Sequence, residues 1–206
     1  MEQNELREAL CDIRKAHRMV YAYQKLMMDL MRFINSKLGS ESDFTGRKRF
    51  SNAIGRNQFT ISPGMWAWDF LYSYVMEYHL GGKACGENMH YDIHVVQYTD
   101  TAGYKVPGTE RTKLSIFDPE EESESKLLFV VDILPNDIKS TSSIDGLIFS
   151  GALLTGADGP IDLKNGGKRI LFAKSLEYFL DEKSTMKCLR ELVACCEKIE
   201  GVKIVL

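Results

Sequence analysis

The stretch Ser62–Leu80, SPGMWAWDFLYSYVMEYHL, holds both tryptophans of the 206-residue chain, and its reading decides how much of the fold is helix. Ser62 suits an N-cap, because its hydroxyl can accept from an orphaned helix N–H. Pro63 suits the first helical position, where its missing N–H costs nothing. Gly81 and Gly82 follow Leu80 as a C-terminal stop. The stretch therefore predicts a helix. At 100° per residue, Ala67, Leu71, Tyr74 and Tyr78 share one face, flanked by Trp68, Phe70 and Val75. Asp69, Ser73 and Glu77 form a narrow polar stripe that faces either solvent or a cleft.

Upstream, residues 3–38 predict one long helix ended by Gly39. Leu6, Leu10, Ile13, His17, Val20, Gln24, Met27, Met31, Ile34 and Leu38 alternate by four and three, the spacing of a heptad seam. At 1.5 Å per residue the helix would run to about 54 Å, well beyond a small domain's ~30 Å. Residues 2–18 are amphipathic and charge-rich, whereas 19–34 are apolar round most of the circumference. The second half is expected in the body, and residues 1–18 as an extension offering Leu6, Leu10, Ile13 and His17 to a second copy or another protein. An intramolecular pair with Ser62–Leu80 is the alternative.

Downstream, Met89–Tyr98, Lys126–Leu134 and Lys168–Phe172 predict strands, with Arg111–Phe117 hairpinned to the second of them across the acidic tip Asp118–Ser125. Ile144–Leu154 predicts a glycine-kinked strand, Asp181–Ile199 an amphipathic helix, and Val202–Leu206 a last strand. Helices first, strands next and a helix late predict a single α+β domain over 1–206: a mainly antiparallel sheet covered by helices, with a long N-terminal helix.

Composition is that of a globular protein, 44% hydrophobic and 27% charged. A net charge of −3 does not favour bulk attraction to nucleic acid or anionic membrane. No apolar run reaches the ~18 residues of a membrane span, and the N-terminus lacks a signal-peptide pattern. Five cysteines without framework spacing fit a reducing, cytoplasmic setting. Cys188, Cys195 and Cys196 fall on the apolar arc of the last helix, so they read as small core hydrophobes.

No signature of a widespread enzyme class occurs. Gly151 and Gly156 have P-loop spacing, but Ala157 stands where lysine is needed. The chemistry-bearing pattern is His90-x-Asp92-x-His94. Strand spacing of two puts all three on one face, and imidazole with carboxylate suits zinc or manganese. His79 and Cys85 could approach them. Asp132 interrupts the apolar run LLFVVDIL, where a carboxylate needs a partner. Beside the histidines it would be a further ligand or general base, with Lys113 or Lys139 as electrostatic helper. A third feature is basic: Arg47, Lys48, Arg49 and Arg56 interleave with Phe44, Phe50 and Phe59, a pattern that can hold phosphates and stack bases. Two functions follow. The first is a non-enzymatic interaction protein (adaptor, inhibitor or accessory subunit) associating through the N-terminal helix. The alternative is a metal-dependent hydrolase or nuclease-like enzyme using the His/Asp strand.

Overall fold

The computed structural model describes residues 3–40, 44–50, 67–71, 74–104, 113–138, 144–148 and 154–206. The chain divides into two compact units, 1–33 and 34–206. Helix α1, Gln3–Leu38, runs through the first and ends in the second. It is the long helix that the periodicity predicts. In the first unit the seam residues Leu6, Leu10 and Ile13 are 43%, 44% and 51% exposed. Met19, Tyr21 and Leu26 are exposed too, so the expected burial of 19–34 holds only in part. Among the described residues, no helix is long and apolar enough to cross a membrane.

The second unit is built on an antiparallel sheet. Among the described residues its strands are β1 (Thr45–Lys48), β2 (Val75–Ala84), β3 (Met89–Tyr98), β4 (Lys126–Pro135), β5 (Ile161–Asp162) and β6 (Lys168–Ser175), in the order β1-β2-β3-β4-β6-β5. A four-residue helix, α2 (Asp145–Ile148), and a longer one, α3 (Glu182–Cys196), complete the α+β fold.

The sheet overturns the helical reading of Ser62–Leu80. Ser62 and Pro63 lie outside the described residues, Ala67–Phe70 is one 3-10 turn, and Val75 onward is strand β2. The physical reason lies in VMEYHL. Met76, Tyr78 and Leu80 alternate with Glu77 and His79, and aromatic and β-branched residues favour a pleated, half-buried surface. Nor are the glycines a helix stop. Pairing slips between His79 and Gly81, where a bulge leaves Gly81 at φ 69°, a backbone that suits glycine. At Gly82 a Cβ would collide with the Tyr91 carbonyl oxygen of the next strand.

Other boundaries also differ. Lys113–Phe117 holds a 3-10 turn at Leu114–Ile116, and β4 pairs with β3 and β6 instead of making the expected hairpin. Within Ile144–Leu154 the described part contains α2, not a strand. Val202–Leu206 joins no sheet; Lys203 N donates to Cys85 O at 2.7 Å.

Strand alternation gives the sheet two unlike faces. One carries Tyr78, Tyr91, Ile93, Val95, Leu127, Phe129, Val131 and Ile170, all buried. Tyr91 Oη donates to Leu38 O at 2.8 Å, and the Phe129 and Phe179 rings stack at 6.0 Å, which ties the end of α1 and the approach to α3 to this side. On α3, Cys188 and Cys196 are buried among Leu189 and Leu192, and burial lifts the Cys196 thiol to about 12. Cys188 and Cys196 therefore pack as small hydrophobes, as the helical pattern predicts, whereas Cys195, expected on the same face, is only half-buried. The opposite face is divided. Val75, Val96, Tyr98, Leu128, Val130 and Leu171 pack with Phe50, Ile144 and Ile148 at one end. The other end is polar.

Candidate metal centre

Four strands build the polar end. Register sets Arg47 of β1 opposite Glu77 of β2, His79 of β2 opposite His94 of β3, and Asp92 of β3 opposite Asp132 of β4. Asp132 in turn stands opposite Arg169 of β6. All these side chains therefore point from one face.

At its centre, His79 Nε2 lies 2.7 Å from Asp92 Oδ1, and His94 Nε2 lies 3.6 Å from Asp92 Oδ2. The two imidazoles stack at 4.4 Å. Together His79, Asp92 and His94 offer one ligand atom each within 4.8 Å of one another. A tetrahedral zinc with ligands at about 2.1 Å needs donor atoms about 3.4 Å apart, so small side-chain adjustments would close the set.

Glu77 orients this group. Its Oε1 meets His94 Nδ1 at 2.8 Å, which leaves Nε2 aimed at Asp92. Arg47 Nε donates to Glu77 Oε2 at 2.8 Å, and Arg49 Nε lies 3.0 Å from the same oxygen as a charge contact rather than an aligned hydrogen bond. A carboxylate that fixes a ligand histidine from behind is a recurrent feature of metal sites. Burial works to raise the Glu77 pKa. Hydrogen bonds from His94 and Arg47 and the Arg49 and His94 charges outweigh it and bring the carboxyl down to about 2. Burial works to lower His94, but hydrogen bonds and charge from Asp92 and Glu77 carry it up to about 9.

These shifts set an expected pH profile for the metal-free protein. The Glu77 pKa is depressed, so its contribution is present above its ordinary 4.5 and fades as pH falls towards 2. The His94 pKa is raised, so its contribution is complete below its ordinary 6.5 and is lost as pH rises through 9. In chelator-treated samples the melting-temperature difference between wild type and His94→Gln should shrink steadily above pH 6.5. A difference that stays constant across that range would contradict the network.

The sequence-predicted residues fare unequally. Asp92 and His94 enter the cluster. His90 stands outside it, yet lines an open depression of about 340 Å³ with His79, Gly82, Ala84 and Asp92. Asp132 is buried, but its carboxylate is gripped by Arg169, Nε to Oδ1 at 2.6 Å and Nη2 to Oδ2 at 2.8 Å. Its expected role as ligand or general base thus meets a competing structural one. Lys113 is exposed, and Lys139 lies outside the described residues. Cys85 is buried, its thiol pushed up by that burial, and it neighbours Tyr91 and Cys196. Of the basic group, Arg47 and Arg49 face Glu77, and Lys48 Nζ donates to Trp68 O and Asp69 O at 3.2 and 2.9 Å. Arg56 lies outside the described residues.

His79 and Glu77 are the residues that the helical reading displaced. The period-two alternation of Met76–Leu80 carried the signal: it sets Glu77 and His79 on one face of a strand.

Fold and site together define an α+β protein with a histidine–carboxylate cluster at the polar end of one face of an antiparallel sheet. The chain belongs to the PM0109 family, which it matches over residues 3–201. No curated protein and no solved structure matches it.

Proposed function

We propose that the chain is a divalent-metal-dependent hydrolase in which His79, Asp92 and His94 hold zinc or manganese. One observation carries the reading: three donor atoms lie within 4.8 Å beside an open depression. Three protein ligands with an open side is the pattern of catalytic sites, whereas structural zinc sites close with four. A metal so held supplies a Lewis acid and lowers the pKa of a bound water to about 7. The test is calorimetric titration of chelator-treated protein with zinc. One equivalent should bind to wild type and none to His79→Ala. Absence of binding to wild type would overturn the proposal. The five cysteines are free thiols, which suits a reducing, cytoplasmic setting.

A second reading, association through α1, is favoured by the exposure of Leu6, Leu10 and Ile13 along one seam that His17 continues. Apolar residues at heptad spacing gain most by meeting another helix, from a second copy or another protein. Light scattering of the full chain should give a dimer or larger species, and the double change Leu10→Glu, Ile13→Glu should return it to monomer. A wild type that is monomeric at every concentration would remove the self-association form of this reading.

A further inference from the structure

We infer that the open side of this centre binds an oxyanion, and that the substrate is a phosphate ester held jointly by the metal and Arg47. The inference rests on the metal reading above and names the chemistry it would act on.

Charge is the first argument. Two neutral imidazoles and one carboxylate leave a divalent ion with one positive charge uncompensated by its own ligands. Glu77 contacts Arg47, Arg49 and the Nδ1 of His94, the ring nitrogen turned away from Asp92, so its charge is met by the two arginines. The fourth ligand is then best an anion.

Shape is the second. His79 forms the wall between two recesses. On one side lies the depression with Asp92 and His90; on the other lies a recess of about 270 Å³ lined by Thr45, Gly46, Arg47, Glu77 and His79. The first is floored in part by Gly82 and Ala84 of β2, which stand opposite Asp92 and His90. A group on a metal at His79 therefore sits next to the recess that Arg47 lines.

Chemistry is the third. Arg47 stands on an edge strand with its side chain 58% exposed, and its Nε and Nη2 donate to the two Glu77 oxygens at 2.8 and 3.4 Å. A guanidinium held along that edge is fixed in orientation beside the recess, and its planar, charged group suits phosphate oxygens. Metal plus arginine is a recurrent clamp for a phosphoryl group, whose charge spreads over several oxygens. In the hydrolysis a metal-bound water adds through oxygen to phosphorus, the ester P–O bond breaks, and the leaving alcohol takes the proton that the water gives up.

The test uses the full chain, metal-free and zinc-loaded, with inorganic phosphate as probe and calorimetry as readout. Phosphate should bind the zinc-loaded protein at least about tenfold more tightly than the metal-free protein. Acetate should bind the zinc form more weakly than phosphate. Assayed with the zinc site saturated in each variant, Arg47→Ala should lower phosphate affinity by about tenfold or more, and Arg47→Lys should restore part of the loss. If zinc binds but phosphate affinity is the same with and without it, this inference falls and the metal site stands. If acetate binds as tightly as phosphate, the phosphate assignment falls. If zinc-saturated Arg47→Ala binds phosphate as tightly as wild type, the arginine has no part in it. If zinc does not bind at all, both proposals fall together.

Discussion

Asp92→Ala is expected to lower zinc affinity by more than about 100-fold. Changes to groups that merely orient a metal ligand cost about 10–100-fold, and Asp92 is placed as a ligand. Its two oxygens face His79 and His94 at 2.7 and 3.6 Å, so it contacts both imidazoles. Glu77→Gln, which keeps the shape but weakens the grip on His94 Nδ1, should fall within the 10–100-fold range. The contrasting variant is His90→Ala. In the strand reading of the sequence His90 is a ligand; in the folded sheet it lies outside the cluster. Zinc affinity that stays within about threefold of wild type in His90→Ala, and collapses in His79→Ala, is the expected pattern, with less than a tenfold change counting as retention of the site. The reverse pattern would return the ligand set to His90, Asp92 and His94.

The largest effect on stability should come from Arg169→Met. The guanidinium holds both Asp132 oxygens in a buried part of the sheet. Removing one partner of a buried ion pair costs about 3–5 kcal/mol, because the remaining charge keeps its desolvation penalty. In a chain of this size that lowers the melting temperature by about 6–20 °C. The double change Asp132→Leu, Arg169→Met should recover most of the loss, since well-packed apolar residues often replace a buried ion pair at no net cost. Thermal unfolding followed by circular dichroism checks both. A single variant that melts with wild type would show that the pair contributes nothing, and would reopen Asp132 as a candidate for chemistry.

Much of the fold was legible because it depended on periodicity. The seam from Leu6 to Leu38 marked α1, and the apolar run of Lys126–Leu134 marked the central strand β4. The alternation of Met89–Tyr98 marked β3 and put Asp92 and His94 on one face. Illegible from the sequence was what a neighbouring strand alone decides. Whether Gly81–Gly82 ends a helix or makes a bulge depends on Tyr91, a residue across the ladder. Once that pair is misread, β2 becomes a helix, Glu77 becomes part of a polar stripe, and His79 becomes a helix terminus. The ligand set then reads as His90, Asp92 and His94, with His79 approaching it only from a helix end. Asp132 shows the same limit from the other side. Its need for a partner was legible, but its match with Arg169 is fixed by the β4–β6 register, and no local pattern announces that. The arginines at 47 and 49 had the right chemistry for an anion; their engagement with Glu77 became visible only when β1 was set beside β2.

The most direct test of the central claim is X-ray absorption at the zinc edge of the protein loaded with one equivalent. The spectrum should fit two imidazole nitrogens at about 2.0–2.1 Å and carboxylate or solvent oxygen at about 2.0–2.2 Å, with no sulfur. His79→Ala should retain no bound zinc. A shell at about 2.3 Å, the distance of thiolate sulfur, would place the metal on cysteine and contradict the site, as would protein that retains no zinc.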